Sequence, residues 1–364
     1  MYVEIYADNI KRRCKVGGSL VSKDKILSSD KVKLQFLGLA LVVLFFGSFL
    51  IGRYPVTPDN VFNILLAKLF SWPQTWTDDM ETIIIQVRLP RILAALLVGA
   101  ALATSGAAYQ GMFRNPMVSP DILGVSAGAS FGAVLAIMLS LDFFWIQLFA
   151  FAFGLLAVAV TYLASTKLSK NNDTMLVLVL AGIIVSMVFS SLVALVKYLA
   201  DPFSKLPAIT FWLMGGLSTI SVEEVVMIVG PMLIGLIPLV LMRWKLNVMS
   251  FGDEEAQALG VNTGRLRSVI VLCATLMTAS AVAVSGVIGL VGLIVPHLTR
   301  LVVGPNYKVL LPASMIIGGG FLLIVDNVSR TLWSVEIPLG ILTSIIGAPI
   351  FMYLLLASRR GWTS

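Results

Sequence analysis

Long apolar runs separated by short polar connectors make up nearly all of this chain beyond residue 33. A helix needs roughly 20 apolar residues to cross about 30 Å of hydrocarbon. Within lipid, a helix is the element that satisfies its backbone hydrogen bonds inside one segment. Ten runs predict spanning helices: 34–52, 92–112, 122–141, 143–165, 175–199, 225–242, 269–287, 288–303, 310–328 and 337–357. The run 288–303 is short and carries Pro296, His297 and Arg300. It is expected to cross only part of the bilayer or to bury its polar end in protein, and nine spans is the alternative count. One connector differs from the rest: residues 252–260 read GDEEAQALG, an acidic, helix-prone stretch between two apolar runs. An apolar chain has little reason to keep such an element unless something docks on it.

Composition agrees with the pattern. Of 364 residues, 58% are hydrophobic and 12% charged, and the mean hydropathy is +0.95. A soluble domain cannot stay in solution with so little polar surface, so the expected fold class is an all-α polytopic membrane protein lying in a lipid bilayer. With the N-terminus placed in the cytoplasm, only Arg53, Lys68, Arg88, Arg91, Lys197, Lys205 and Arg330 fall outside. The other 19 of the 26 Lys and Arg residues lie inside. That excess favours cytoplasmic N- and C-termini and puts 252–260 in the cytoplasm. The net charge of +7 is then a topology signal. The basic residues are dispersed and not interleaved with exposed aromatics, so no nucleic-acid partner is expected.

The organisation expected is a cytoplasmic polar tail over 1–33, a transmembrane domain over 34–358 and a cytoplasmic tail over 359–364. No short apolar core followed by a small-residue cleavage site precedes the first span, which is read as its own insertion signal. No polar stretch is long enough to bury a second core. Cys14 and Cys273 support neither a disulfide framework nor a metal site. A phosphate-binding loop needs Gly-Lys in G-x-x-x-x-G-K-[ST], and no Gly-Lys pair occurs. No cofactor is expected in this chain, and any ATP hydrolysis belongs to a partner.

Gly124, Gly128 and Gly132 recur every fourth residue and Gly286, Gly289 and Gly292 every third, which predicts two small-residue helix faces for close packing. Asn115-Pro116 and Ser119-Pro120 mark a non-helical connection. Ser105-Gly106 precedes Pro116 at the spacing at which Ser285-Gly286 precedes Pro296, a faint sign of an inverted repeat. Arg88 and Arg91 share a helix face at the outer end of the second span, where snorkelling anchors are the competing reading. His297 is the lone histidine and cannot make a metal site by itself; a packed, hydrogen-bonded role near the cytoplasmic end is expected. Asp326 lies within a span and needs a partner.

The run RLPRILAALLVGAALATSGAAYQGMFRNPMVSPDILGVSAGA, starting at Arg88, resembles the signature of FecCD-type permeases. These are the membrane subunits of ABC importers for iron chelates, haem and vitamin B12. The resemblance continues through FWLMGGL (211–217), GDEEAQALGV (252–261), SGVIGLVGLIVPHLTR (285–300), VDNVSRTL (325–332) and EIPLGILTSIIGAPIF (336–351). It implies a vitamin B12 permease-like, type II ABC importer fold of ten helices in a prokaryotic inner membrane. Its partners would be a second copy of the permease, two ATPase subunits carrying ATP and Mg, and an extracytoplasmic binding protein.

The same resemblance implies site residues. The loop at about 246–266 would be a coupling-helix pair seated on the ATPase. Gly252, Asp253, Glu254, Glu255, Ala256, Ala258, Leu259 and Gly260 would form it, with Asp253 capping the helix, Gly260 ending it, and Ala256, Ala258 and Leu259 in apolar contact. Arg88, Arg91 and Arg330 would meet carboxylates of the binding protein, although Asp326, four residues before Arg330, is a competing partner. The fifth and tenth spans would line the path, with Gly182, Ser186, Ser190 and Ser191 on the fifth. Asn171, Asn172, Asp173 and Thr174 would form the cytoplasmic gate. Helix packing and loop solvation compete for each of these. The substrate implied first is an iron–siderophore, with haem, vitamin B12 and molybdate as alternatives. The competing function is an ion-coupled secondary transporter, which needs intramembrane carboxylates; Asp326 is its one fair candidate.

Overall fold

The computed structural model describes residues 23–70, 73–168 and 174–359, and the regular structure among them is entirely helical. The helices are α1 (Lys23–Leu50), α2 (Pro58–Phe70), α3 (Asp78–Phe113), α4 (Val125–Met138), α5 (Phe143–Leu168), α6 (Thr174–Leu199) and α7 (Lys205–Met214). They continue as α8 (Val222–Leu241), α9 (Arg243–Met249), α10 (Asp253–Ala258), α11 (Thr263–Ser285), α12 (Val291–Val303), α13 (Tyr307–Thr331) and α14 (Leu339–Arg359). All ten predicted runs are helical. Among the described residues, seven helices are long and apolar enough to cross a membrane; α4, α12 and the apolar part of α14 are shorter. Residues Asn171, Asn172 and Asp173 lie outside the described residues, and Thr174 begins α6.

Helix α3 is the axis of the bundle. Ser105 and Gly106 let α11 and α12 approach it: Ser105 Oγ donates to Ala274 O at 3.3 Å, and a Cβ at Gly106 would collide with the Gly292 carbonyl. A Cβ at Gly99 would strike the Gly318 carbonyl of α13 in the same way. Backbone-to-backbone contact replaces the hydrophobic drive that lipid removes. The second span starts earlier than its apolar run, at Asp78, and passes through a π-helical stretch at Ile83–Arg88 before the α-helix from Leu89.

A 14-residue helix such as α4 rises about 21 Å, short of the roughly 30 Å required. The missing depth is made by 118–124, which packs against the protein. Gln110 Nε2 donates to Val118 O at 3.4 Å, Thr161 Oγ1 donates to Leu123 O at 3.1 Å, and Pro120–Leu123 forms a 3-10 turn. Irregular backbone at membrane depth is tolerated where protein covers it. The same holds before α12, where the irregular stretch 286–290 is closed over by α7 and the start of α14: Gly216 N donates to Ser285 O at 2.8 Å and Leu339 N to Gly215 O at 2.9 Å.

Two glycine expectations part company here. Gly128 and Gly132 press on the Phe153 and Phe149 carbonyls, so α4 and α5 pack as closely as the spacing implies. Gly286 instead ends α11 with φ 64°, Gly289 meets nothing within 4 Å, and only Gly292 lies in α12. The threefold spacing therefore marks no shared helix face. The Ser-Gly and Pro positions of the two motif copies do not match in local structure: Gly106 sits inside α3 whereas Gly286 breaks a helix, and Pro116 lies in a turn whereas Pro296 lies within α12. Helices α2 and α7 were not among the predicted elements, because each is too short to register as a spanning run. At the entry to α7, the Ser204 hydroxyl and amide bind Asp201 at 2.6 and 2.7 Å, which holds its carboxyl below the usual range.

Candidate coupling surface and buried charge cluster

The connector between α8 and α11 folds as the helix pair α9 and α10. Gly252 precedes α10 with φ 137°, and a Cβ there would meet the Glu255 carboxylate that folds back over it, so glycine is required. Asp253 is the first helical residue and not the cap; its carboxylate pairs with Arg267 of α11. Glu254 and Glu255 complete an acidic first turn, which suits the positive end of the helix. At the other end Gly260 has φ 79°, with Gly260 N bonded to Gln257 O and Val261 N to Ala256 O, both at 2.9 Å. That pair of bonds is a Schellman closure. It buries Val261 and Ala256 together.

Ala256 therefore faces inward and anchors α10 to its own bundle, which corrects its expected place in partner contact. The outward face carries Glu254, Glu255, Ala258 and Leu259. Leu259 is 60% exposed and the neighbouring Phe251 67%. Helix α9 is pinned by buried Leu246, Val248 and Met249. Asn247 staples it to the start of α13, donating to Asn306 Oδ1 at 2.9 Å and accepting from Tyr307 N at 2.8 Å. The pair thus grips α11 through Asp253–Arg267 and Gln257–Thr263 (3.2 Å), and α13 through Asn247. Replacing Asn247 with alanine removes two hydrogen bonds of roughly 1 kcal/mol each. The expected result is normal membrane insertion with faster amide exchange over 243–249, measured by hydrogen–deuterium exchange; unchanged protection would contradict the staple.

The opposite end of the bundle gathers Arg88, Arg91 and Arg330, as the sequence suggested, but turns them inward. All three are at most 7% exposed. Arg88 donates to the carbonyls of Phe49 and Tyr54. Arg91 Nε lies 2.9 Å from Asp326 Oδ1, and its Nη1 lies 2.8 Å from Glu336 Oε2. Arg330 Nε lies 3.2 Å from Asp326 Oδ2, and Arg330 also donates to Asn327. None of the three offers a free guanidinium to a partner's carboxylate, which corrects the expected docking role for this state of the molecule. A cavity of about 170 Å³ opens between Arg53, Tyr54, Arg88, Arg91, Arg330 and Glu336. Glu336 is the carboxylate at its edge, about one-third exposed. The cluster ties the end of α1, the start of α3, the end of α13 and the approach to α14.

Of the expected path residues, Gly182 is packed against Ile122 and Leu123, and Ser186 Oγ donates back to Gly182 O at 2.7 Å while meeting Gly124. These two serve the α6 contact with the 3-10 turn, a correction to their path-lining role. Ser190 and Ser191 lie on the exposed face of α6. His297 is partly buried on α12 and makes no side-chain hydrogen bond among the described residues, contrary to expectation. Nearby, Arg300 takes the polar role, donating to Gln110 Oε1 at 3.0 Å and to Tyr307 Oη at 3.2 Å. Sequence reasoning missed Asn247, Arg267, Gln110 and Glu336. Asn306, the partner of Asn247, was missed as well, although an Asn directly before a helix is a cap signal. Among the described residues no His, Cys, Asp and Glu cluster fit for a metal ion occurs.

A bundle of long apolar helices with a braced acidic helix pair at one end is the architecture of a multi-pass membrane protein. The chain belongs to the FecCD transport family, which matches residues 40–357, and is a FecCD-type ABC importer permease. It is 43% identical to the molybdate import system permease protein MolB of Haemophilus influenzae, over 89% of this chain and 95% of that protein. It is 38% identical to a probable iron chelatin transport system permease protein of Helicobacter pylori, over 92% and 99%. Among solved structures, one described as an inward-facing conformation of a metal-chelate type ABC transporter superposes with a TM-score of 0.79 at 43% identity, covering 89% of this chain and 98% of that one.

Proposed function

We propose that this chain is the membrane-spanning subunit of an importer for a metal chelate or a metal oxyanion. It works as a ten-span homodimer in a prokaryotic inner membrane with both termini in the cytoplasm. Two separate ATPase subunits, which carry ATP and Mg, grip the α9–α10 pair. An extracytoplasmic binding protein delivers cargo at the opposite end, and the path runs between the two copies along the exposed faces of α6 and α14. The observation that carries this reading is the helix pair, whose acidic and apolar outer face is fastened to α11 and α13. A rigid lever of this kind converts partner motion into helix motion, and no bond chemistry is needed in this chain.

The cargo class follows the relatives' names, which span molybdate, iron chelatin, cobalamin and hemin. What these share is a metal complex that a weakly polar path passes without holding. The ion-coupled alternative is disfavoured by Asp326, which is engaged by two arginines and presents no free carboxylate. The test is uptake into proteoliposomes holding this chain and its partner ATPase, with molybdate, a ferric siderophore, haem and cobalamin offered through the cognate binding protein. Uptake of one of these is expected to require ATP. Uptake driven by an ion gradient without ATP would overturn the proposal.

A further inference from the structure

The loop that leaves α3 lies against the coupling pair, although it is more than 130 residues away in sequence. Arg114 takes the left-handed conformation at the end of α3, with φ 51°. The turn is locked: Asn115 N donates to Gln110 O at 3.2 Å, and Asn115 Oδ1 accepts from Met117 N at 2.9 Å. Arg114 Nη1 comes within 3.6 Å of the position a Cβ would take at Gly252, the place over which the Glu255 carboxylate folds. Arg114 is exposed and forms no ion pair among the described residues, and Met117 is 51% exposed. The loop and α10 therefore meet at Arg114 and Gly252, and the exposed side chains on the two sides of that contact are Arg114 and Met117 of the loop and Phe251, Glu254, Glu255 and Leu259 of the pair.

We propose that the ATPase docks on this two-part surface, with Arg114–Met117 as its second limb. The inference rests on the importer reading above and adds to it a contact and a direction of force. An acidic group of the ATPase would face Arg114, and an apolar recess would take Met117. The limb is the end of α3, so a push there acts on the bundle's axis directly. Helix α3 runs from Asp78 to Phe113 with a π-helical stretch at Ile83–Arg88. Arg91 lies in the first turn after that stretch, and its pairing with Glu336 fixes the approach to α14. Motion of the ATPase would then reach the opposite end of the bundle through α3 as well as through α11 and α13.

The test co-expresses the full chain with its ATPase and compares wild type with Glu255→Arg, Arg114→Glu and Met117→Asp. The readouts are ATPase captured per permease in the membrane fraction and ATP-driven uptake. A loss of tenfold or more in capture is expected for all three. Loss with Glu255→Arg but wild-type capture with Arg114→Glu and Met117→Asp overturns the second limb and leaves the importer reading standing. No capture by wild type overturns that reading and the limb with it. To guard against misfolded variants, a photo-cross-linking residue at position 117 of the otherwise native chain is expected to form an adduct with the ATPase, while the same group at Ile184 forms none. Absence of the adduct at 117 in a complex that transports would also overturn the limb.

Discussion

Asp326→Ala is expected to lower the stability of the folded chain by about 3–5 kcal/mol, the range for removing one partner from a buried ion pair. Asp326 is fully buried and neutralises two guanidiniums at once, Arg91 at 2.9 Å and Arg330 at 3.2 Å. Without it Arg91 keeps Glu336, but Arg330 keeps only Asn327 and the Ile51 carbonyl (3.4 Å) as partners. A buried charge left without its counter-ion is the costly outcome; the pair itself adds little beyond an apolar replacement. Asp326→Leu combined with Arg330→Met is therefore expected to recover much of the loss. The thermal midpoint of the detergent-purified protein reads both. A single variant that melts with wild type would mean that the cluster is hydrated and does not brace its end of the bundle.

Gly106→Ala is expected to have the second-largest effect. Its new Cβ would meet the Gly292 carbonyl, and both residues belong to helices packed on other helices, so neither backbone has room to retreat. Overpacking of this kind typically costs about 1–3 kcal/mol, and the absence of any flexible side chain at the contact places Gly106→Ala at the upper end. Gly230→Ala supplies the contrast. It lies in α8 with nothing within 4 Å of the added carbon, so the helix gains roughly 0.5–1 kcal/mol from reduced backbone freedom. Opposite shifts in the thermal midpoint are expected from the same chemical change. Equal shifts would remove the claim that α3 and α12 touch through their backbones.

Much of the architecture was legible because lipid imposes one rule along the whole chain. Each predicted run is a helix, since no other local structure satisfies its backbone in hydrocarbon. The acidic connector was legible for a related reason, being polar where apolarity is the norm. Its local details were read less well. Asp253 looks like a cap by residue type, yet Gly252 takes that place and Asp253 turns to Arg267. Ala256 looks like contact surface, yet the Schellman closure rotates it inward. Arg88, Arg91 and Arg330 were grouped correctly as neighbours, and Asp326 was legible as a partner of Arg330 four residues along the helix; the Phe49 and Tyr54 carbonyls that hold Arg88, and the Asp326 and Glu336 that hold Arg91, were not, because they lie far from those arginines along the chain.

The order of the apolar runs and the place of the acidic connector among them were determined by the sequence alone, because hydropathy is a property of single segments and needs no knowledge of neighbours. Which faces meet was decided only in the tertiary structure. Side chains such as Gly182, Ala256 and Arg330 have no intrinsic preference between lining a path, meeting a partner and packing a bundle. What settles each is the helix that happens to cover it, and contacts between residues as far apart as Arg114 and Gly252 exist only once the helices are stacked.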